Sequence, residues 1–444
     1  MRTKTLALVL VCIVSMLAAC GPSAEWTTCT SGDKVSDAAL IEACTKLIDT
    51  TGQDKSVRSG AYNNRALAFQ HKHDFTRALE DFNAAVELMP SDARAIHNRG
   101  NLYAAIGNQN AAIEDYEEAH LLKPTDPAPL LSLGNAYGDK SDFDRAIEAF
   151  NRAIQVKPDY AIAFARRGEA FAAKRDILAA LRDYNEAIRL DPKLSAAFAG
   201  RGVVYATKGD FQRAMWDVNE AVRLSPNSPF ILIRRGGVYL MQHDMVHALQ
   251  DYEAAIKAGP NYPPAYTARG EYHREQSEFD LAIADYSEAI RLAPQWVDLL
   301  RQRASTYARM KDYDHALLDY EAGLQLDPNS ATIYNDRCWV RAIANKDLDA
   351  ALEDCNQALV LQPKNASIID SRAFVYFRLG KTEEARKDYD AAIEVNPNIA
   401  SSLFMRGVLK RLTKDETGGD ADIAAAKAID TTVADRYAEY GVTP

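Results

Sequence analysis

The chain has 444 residues, of which 47% are hydrophobic and 26% charged, and a formal net charge of −10. An acidic balance with no block of clustered Lys and Arg argues against nucleic acid as a ligand and against electrostatic docking to anionic lipid. Length alone would suggest about three domains.

The first twenty residues read MRTKTLALVLVCIVSMLAAC. Arg2 and Lys4 form a positive head, and residues 6–17 an apolar run too short to span a bilayer as a mature helix, so residues 1–19 read as a secretory signal. A buried N-terminal helix is the bland alternative. Leu17-Ala18-Ala19-Cys20 resembles the bacterial lipobox, which implies cleavage before Cys20 and acylation of its thiol and amine. A plain secreted protein cleaved nearby is the competing reading. Several acyl chains would hold such a protein to a membrane where one would not. The expected place is therefore the bacterial cell envelope, lipid-anchored and facing the periplasm, the outer membrane ahead of the inner. Losing Arg2 and Lys4 takes the net charge from −10 to −12.

Residues 20–36 are expected to form the lipid anchor and a tether. Residues 37–58 hold a capping half-repeat (DAALIEACTKLI, 37–48) and a polar connection. From there the chain is periodic. Prolines fall at 90, 124, 158, 192, 226, 260, 294 and 328, every 34 residues, then at 363 and 397. Each closes a unit like AIAFARRGEAFAAKRDILAALRDYNEAIRLDPKL (161–194), two short amphipathic helices ended by a residue that cannot continue them. Small residues recur at Gly100, Gly134, Gly168, Gly202, Gly236 and Gly270 in the first helix, and at Ala112, Ala146, Ala180, Ala214, Ala248 and Ala282 in the second.

A period of 34 with two helices per unit marks a stacked solenoid, and these residues resemble the tetratricopeptide repeat. The resemblance implies an all-α, right-handed α-solenoid of helix-turn-helix repeats, which overrides the length prior and makes one domain. Ten repeats run over 59–399, the ninth with one extra residue in the turn near Asn345. Residues 400–444 form a divergent eleventh repeat and C-terminal cap, with a Gly-rich turn at 417–420.

Export sets the reading of the cysteines. Cys12 leaves with the signal and Cys20 carries lipid. Cys29, Cys44, Cys338 and Cys355 remain, an even number in an oxidising compartment. The favoured pairing is Cys29–Cys44 and Cys338–Cys355, by proximity and register. Cys338 takes the small first-helix position of the ninth repeat, and Cys355 shares a face with Ala351 and Ala358. Zinc lacks a CxxC or clustered His; unpaired core cysteines stay open.

Arginine precedes the small residue in ten repeats, and aspartate follows sixteen later (seventeen in the ninth). The third repeat lacks both, with Leu133 and Ala149 instead. Joint loss suggests contact, an Arg–Asp pair bridging the two helices of each repeat; a charged ligand-binding ladder is the other reading.

No glycine-rich phosphate loop, GxSxG or Cys–His pair is present, so no catalytic residue, cofactor or metal is expected. His243 and His247 only superficially mimic a zinc-helix motif, since the register puts His243 in a turn. Function is left to the concave surface. The resemblance places positions 2, 5, 6, 9 and 12 of each first helix there. Near the N-terminus these are Asn63, Asn64, His97, Asn98, Asn101 and Asn135, whose amides can donate to and accept from a peptide backbone. The asparagine series breaks at Ser132, Arg166 and Gly200, and the two-lysine carboxylate clamp of chaperone-binding relatives is unmatched at Asn63 and Ala128. Further along come Phe230, Trp339, Phe374, Phe377 and Phe404, candidate apolar anchors for a partner, or side chains packed between repeats. The expected function is a non-catalytic scaffold or adaptor binding a protein, peptide or helix, with no nucleic acid and with the membrane reached through the lipid. The alternative is a regulatory subunit recruiting clients to an envelope protease or peptidoglycan enzyme.

Overall fold

The computed structural model describes residues 23–50 and 52–443; the signal segment 1–19 and the lipid-attachment candidate Cys20 lie outside the described residues. Two compact units divide in sequence between Pro226 and Asn227. The first contains α1 (Ala24–Cys29), α2 (Asp37–Asp49), α3 (Lys55–His71), α4 (Phe75–Leu88), α5 (Ala93–Ala105), α6 (Gln109–Leu122), α7 (Ala128–Asp139), α8 (Phe143–Val156), α9 (Ala161–Ala173), α10 (Ile177–Leu190), α11 (Ser195–Thr207) and α12 (Phe211–Leu224). The second contains α13 (Pro229–Met241), α14 (Met245–Ala258), α15 (Pro263–Glu275), α16 (Phe279–Leu292), α17 (Val297–Arg309), α18 (Tyr313–Leu326), α19 (Ala331–Ala344), α20 (Leu348–Leu361), α21 (Ala366–Arg378), α22 (Thr382–Val395), α23 (Ala400–Leu412), α24 (Glu416–Ile429) and α25 (Val433–Glu439). There is no strand among the described residues. Within each unit the helices pair into hairpins that stack side by side, an all-α solenoid.

Three local rules cut this pattern. Between the helices of a hairpin one residue takes a left-handed conformation, glycine at Gly107, Gly209 and Gly380 but His73, Ser141, Arg175 and His243 elsewhere. The next residue caps the second helix; Asp142, for example, accepts from the Arg145 amide at 3.1 Å. The residue before each proline is forced out of helical geometry, as at Asp191 with φ −136° and ψ 93°. The extra residue of the ninth repeat is absorbed by two left-handed residues, Asn345 and Asp347, flanking Lys346.

Packing explains the small residues. Ala112, Ala146, Ala180, Ala214, Ala248 and Ala282 are fully buried. A Cβ on Gly134 would come within 2.3 Å of the Phe150 ring, so the first-helix glycine makes room for the second-helix aromatic of its own hairpin. In the ninth repeat a covalent bond replaces this contact. Cys338 is joined to Cys355 with Cα atoms 5.6 Å apart, and Cys29 to Cys44 at 4.9 Å.

Four expectations change. The tether over 20–36 contains a helix, α1, because Cys29 is buried and bonded to Cys44 in α2. The connection over 50–58 is half helical, since Asp54 caps α3 by accepting from the Ser56 amide at 2.7 Å. The Gly-rich turn at 417–420 is instead the first turn of α24. Its glycine has a packing purpose, for a Cβ on either Gly407 or Gly419 would lie 2.8 Å from the other's carbonyl oxygen. Finally, the cap ends in an extra helix, α25, which no period announced.

Candidate partner-binding face

The ten Arg–Asp pairs bridge the two helices of each hairpin. In every one Nε donates to Oδ2 at 2.7–2.9 Å and Nη2 to Oδ1 at 2.6–3.0 Å. In the third repeat Leu133 and Ala149 fill the same place and are buried. The guanidinium has a third use. Nη1 of Arg99, Arg167, Arg201 and Arg372 donates to Asn83, Asn151, Asn185 and Asn356 on the second helix of the preceding hairpin. Each of these four arginines therefore closes its own hairpin and ties it to its predecessor, a structural use of the guanidinium.

The face made by the first helices differs between the units. In the first unit most of the expected amides are already engaged. Asn98 Nδ2 donates to Asn63 Oδ1 at 2.9 Å, Asn63 Nδ2 to Asn64 Oδ1 at 3.0 Å, and Asn64 Nδ2 to the Cys29 carbonyl at 3.0 Å. Asn63 is 1% exposed, so its placement as a groove contact is corrected: it is a buried link. Tyr116 donates to Asn101 at 2.9 Å, and His97 Nε2 lies 2.9 Å from Ser132 Oγ. Burial pulls the His97 imidazole down from its ordinary value. Asn135 is placed differently. With Asp139, Arg166 and Glu169 it rims an open cavity of about 500 Å³ whose floor is Phe143, Phe150 and the small residues Gly134, Gly138 and Ala170. Burial also pushes the Asp139 carboxyl up.

In the second unit Phe230 is half-buried beneath the Arg234 guanidinium, 4.9 Å from the ring centroid, and stands apart from the other aromatics. Trp339, Phe374, Phe377 and Phe404 come together in one cluster. Phe374 and Phe404 are fully buried, so they are not exposed anchors; Tyr437 of α25 covers them, with ring centroids at 5.6 and 5.3 Å. Trp339 and Phe377 stay half-buried at the cluster's edge. His243 sits in the turn before α14, while His247 lies 2.7 Å from the Asp244 carboxylate and stacks on Tyr239, so the two do not share a helical face.

Under this cluster Asp370 is buried, accepting from Ser401 at 2.8 Å and from Ser402, and burial pushes its carboxyl up to about 6. A raised folded-state value means that the folded chain holds the proton more tightly than the unfolded one. The resulting stability is complete below about pH 4 and is lost as pH rises through about 6, on the order of 3 kcal/mol. The urea midpoint of the wild type should thus fall between pH 4 and pH 7 relative to Asp370→Asn, which lacks the titration; parallel profiles would contradict this.

Sequence reasoning missed two groups. The asparagines that receive Nη1 left a trace, a residue two places after the aspartate position at 83, 151, 185 and 356. The tail residues Val433, Tyr437, Tyr440 and Val442 left little beyond a valine and a tyrosine four apart.

Family models described as Tetratricopeptide repeat match residues 340–413, 131–195, 166–229, 236–295 and 297–330, and one described as TPR repeat matches 100–141. No curated protein matches the chain in sequence. Among solved structures, a monomeric mutant of IFIT1 with Gppp-AAAA is 14% identical, with 91% of this chain and 96% of that one covered and a TM-score of 0.50. Yeast Tom70 is 15% identical, covering 87% and 95%, with a TM-score of 0.45. A tetratricopeptide repeat protein from Parabacteroides merdae is 18% identical over 56% and 98%, with a TM-score of 0.46. The matched models span well over half of the chain and coincide with hairpins closed by the small, aromatic and proline positions seen here, and the chain belongs to the tetratricopeptide repeat family.

Proposed function

We propose that this protein is a non-catalytic scaffold or adaptor of the bacterial cell envelope, exported, lipid-anchored through Cys20, and binding a partner peptide or helix on its first-helix face. Repeats of this family are generally protein-binding modules. The observation that carries the reading is the cavity at Asn135, an apolar floor with an amide and charged groups at its rim, which suits one side chain and the adjoining backbone of a partner. The Leu17-Ala18-Ala19-Cys20 pattern supports the anchor, and two disulfides suit the periplasm. The outer membrane is preferred to the inner.

A photo-crosslinking residue at Asn135 in intact cells should capture a discrete partner that the same residue at Leu121, on α6 of the preceding hairpin and 75% exposed, does not. Identical capture from both positions would defeat the binding face. Capture of an envelope protease or peptidoglycan enzyme would make the chain its client-recruiting subunit. Cys20→Ser should release the protein from membranes or leave its precursor uncleaved; unchanged fractionation with an unchanged N-terminus would remove the anchor.

A further inference from the structure

The last helix does not merely close the final hairpin. α25 turns back over the first helices of the eleventh, tenth and ninth repeats, touching Phe404 of α23, Phe374 of α21 and Trp339 of α19. Its last residue, Glu439, reaches Lys311 after α17 at 3.6 Å. Val433, Tyr437 and Val442 are buried, whereas Asp435, Arg436, Ala438 and Glu439 are exposed, so the segment is one-sided. A helix of seven residues has no stability of its own in water and exists here through what it packs against. The packing has the make-up of a bound ligand. Tyr437 stacks on Phe404 with its edge toward Phe374, Tyr440 sets its ring 5.8 Å from Trp339, and Arg378 donates to the Tyr440 carbonyl. The Lys311–Glu439 pair is exposed on both sides and adds little. Only three residues, 430–432, link the segment to α24. Beside it lies an open cavity of about 800 Å³, walled on one side by Asp435, Arg436, Glu439 and Tyr440 of the segment and on the other by Tyr313, Tyr320, Trp339, Arg301 and Arg309.

We infer that this groove is a docking site for an amphipathic helix with an aliphatic residue and a tyrosine one turn apart and a carboxylate two residues beyond, and that residues 433–442 are its resident occupant, which such a partner displaces. The inference rests on the scaffold reading and adds where and by what chemistry a partner binds. Occupancy by the tail lowers the affinity of the site for an incoming helix by the fraction of time the site is open. Lys311, now beside Glu439, would meet the partner's carboxylate.

The test uses the full chain with Val433→Ala and Tyr437→Ala, which empties the groove without shortening the protein. The probe is a fluorescent peptide of residues 430–444. It should bind the double variant at least about tenfold more tightly than the wild type, and a peptide carrying Tyr437→Ala should lose that binding. A variant that keeps its helical circular dichroism but binds the peptide no better than wild type would overturn the proposal. Hydrogen exchange on the wild type covers the case of an unfolded variant. Amides of 433–442 should exchange by local opening, faster than those of α23 and α24, and exchange only with global unfolding would show a fixed part of the core. Capture at Asn135 does not involve the tail, so partner capture there with no peptide binding here would sink this inference and leave the scaffold standing.

Discussion

Asp217→Ala should destabilise the first unit by about 3 kcal/mol, because it strips a charge partner from an arginine that cannot retreat to water. Arg201 and Asp217 have side chains only 16% and 1% exposed and share two hydrogen bonds of 2.8 and 2.7 Å. Burial pulls the Arg201 guanidinium down, and the hydrogen bond and charge of Asp217, with a smaller contribution from Tyr205, together more than offset this, so removing the carboxylate leaves burial largely uncompensated. The informative variant is the pair Arg201→Leu with Asp217→Ala, which copies Leu133 and Ala149. A leucine fills the same space without needing a counter-charge, so the pair should recover much of what the single change loses. Urea midpoints of the four proteins give the coupling, and its sign decides the matter more than its size. A double variant that loses the sum of the two single losses would mean the residues do not support each other.

Removing the second disulfide should have an effect of similar size. Cys338→Ala with Cys355→Ala opens a link of sequence separation 17, which in the chain-entropy view stabilises by roughly 3 kcal/mol. A further loss is expected because both cysteines are fully buried in the cluster with Phe374 and Phe404, and alanine in place of Cys355 leaves space where other repeats set a ring. Reduction of the wild type should reproduce most of the shift. Peptide mapping without reduction should show the two cysteines joined, and free thiols at both in protein taken from an oxidising compartment would contradict it.

The hairpins were legible in the chain because their signals are local and repeated. A proline after a helical run ends it, every 34 residues here, and a glycine facing an aromatic recurs at a fixed offset, so the period needs no knowledge of contacts. The Arg–Asp bridges were legible for a different reason, since the third repeat loses both members together. What the sequence could not display was which polar group is used up by which. Asn63, Asn64 and Asn98 look like free amides by residue type and position, yet they satisfy one another and the Cys29 carbonyl. Phe374 and Phe404 hold groove positions and are apolar, but their exposure depends on a seven-residue helix too short for any periodic signal. α1 is likewise six residues long and is held by a disulfide more than by its own propensity.

The third hairpin alone has an apolar residue, Leu133, where the others carry the bridging arginine. A guanidinium is planar, so an arginine that grips its own aspartate and the asparagine behind it fixes the angle between successive hairpins. The third hairpin lacks this brace. A salt bridge between Arg152 and Glu117 spans to the second hairpin instead, and both side chains are about one third exposed. Dissolved ions screen such a pair far more than a sheltered one. Rising ionic strength should therefore weaken this tie more than the sheltered bridges of its neighbours, while the apolar packing of Tyr116, Leu130 and Leu133 still holds the junction beside the cavity at Asn135.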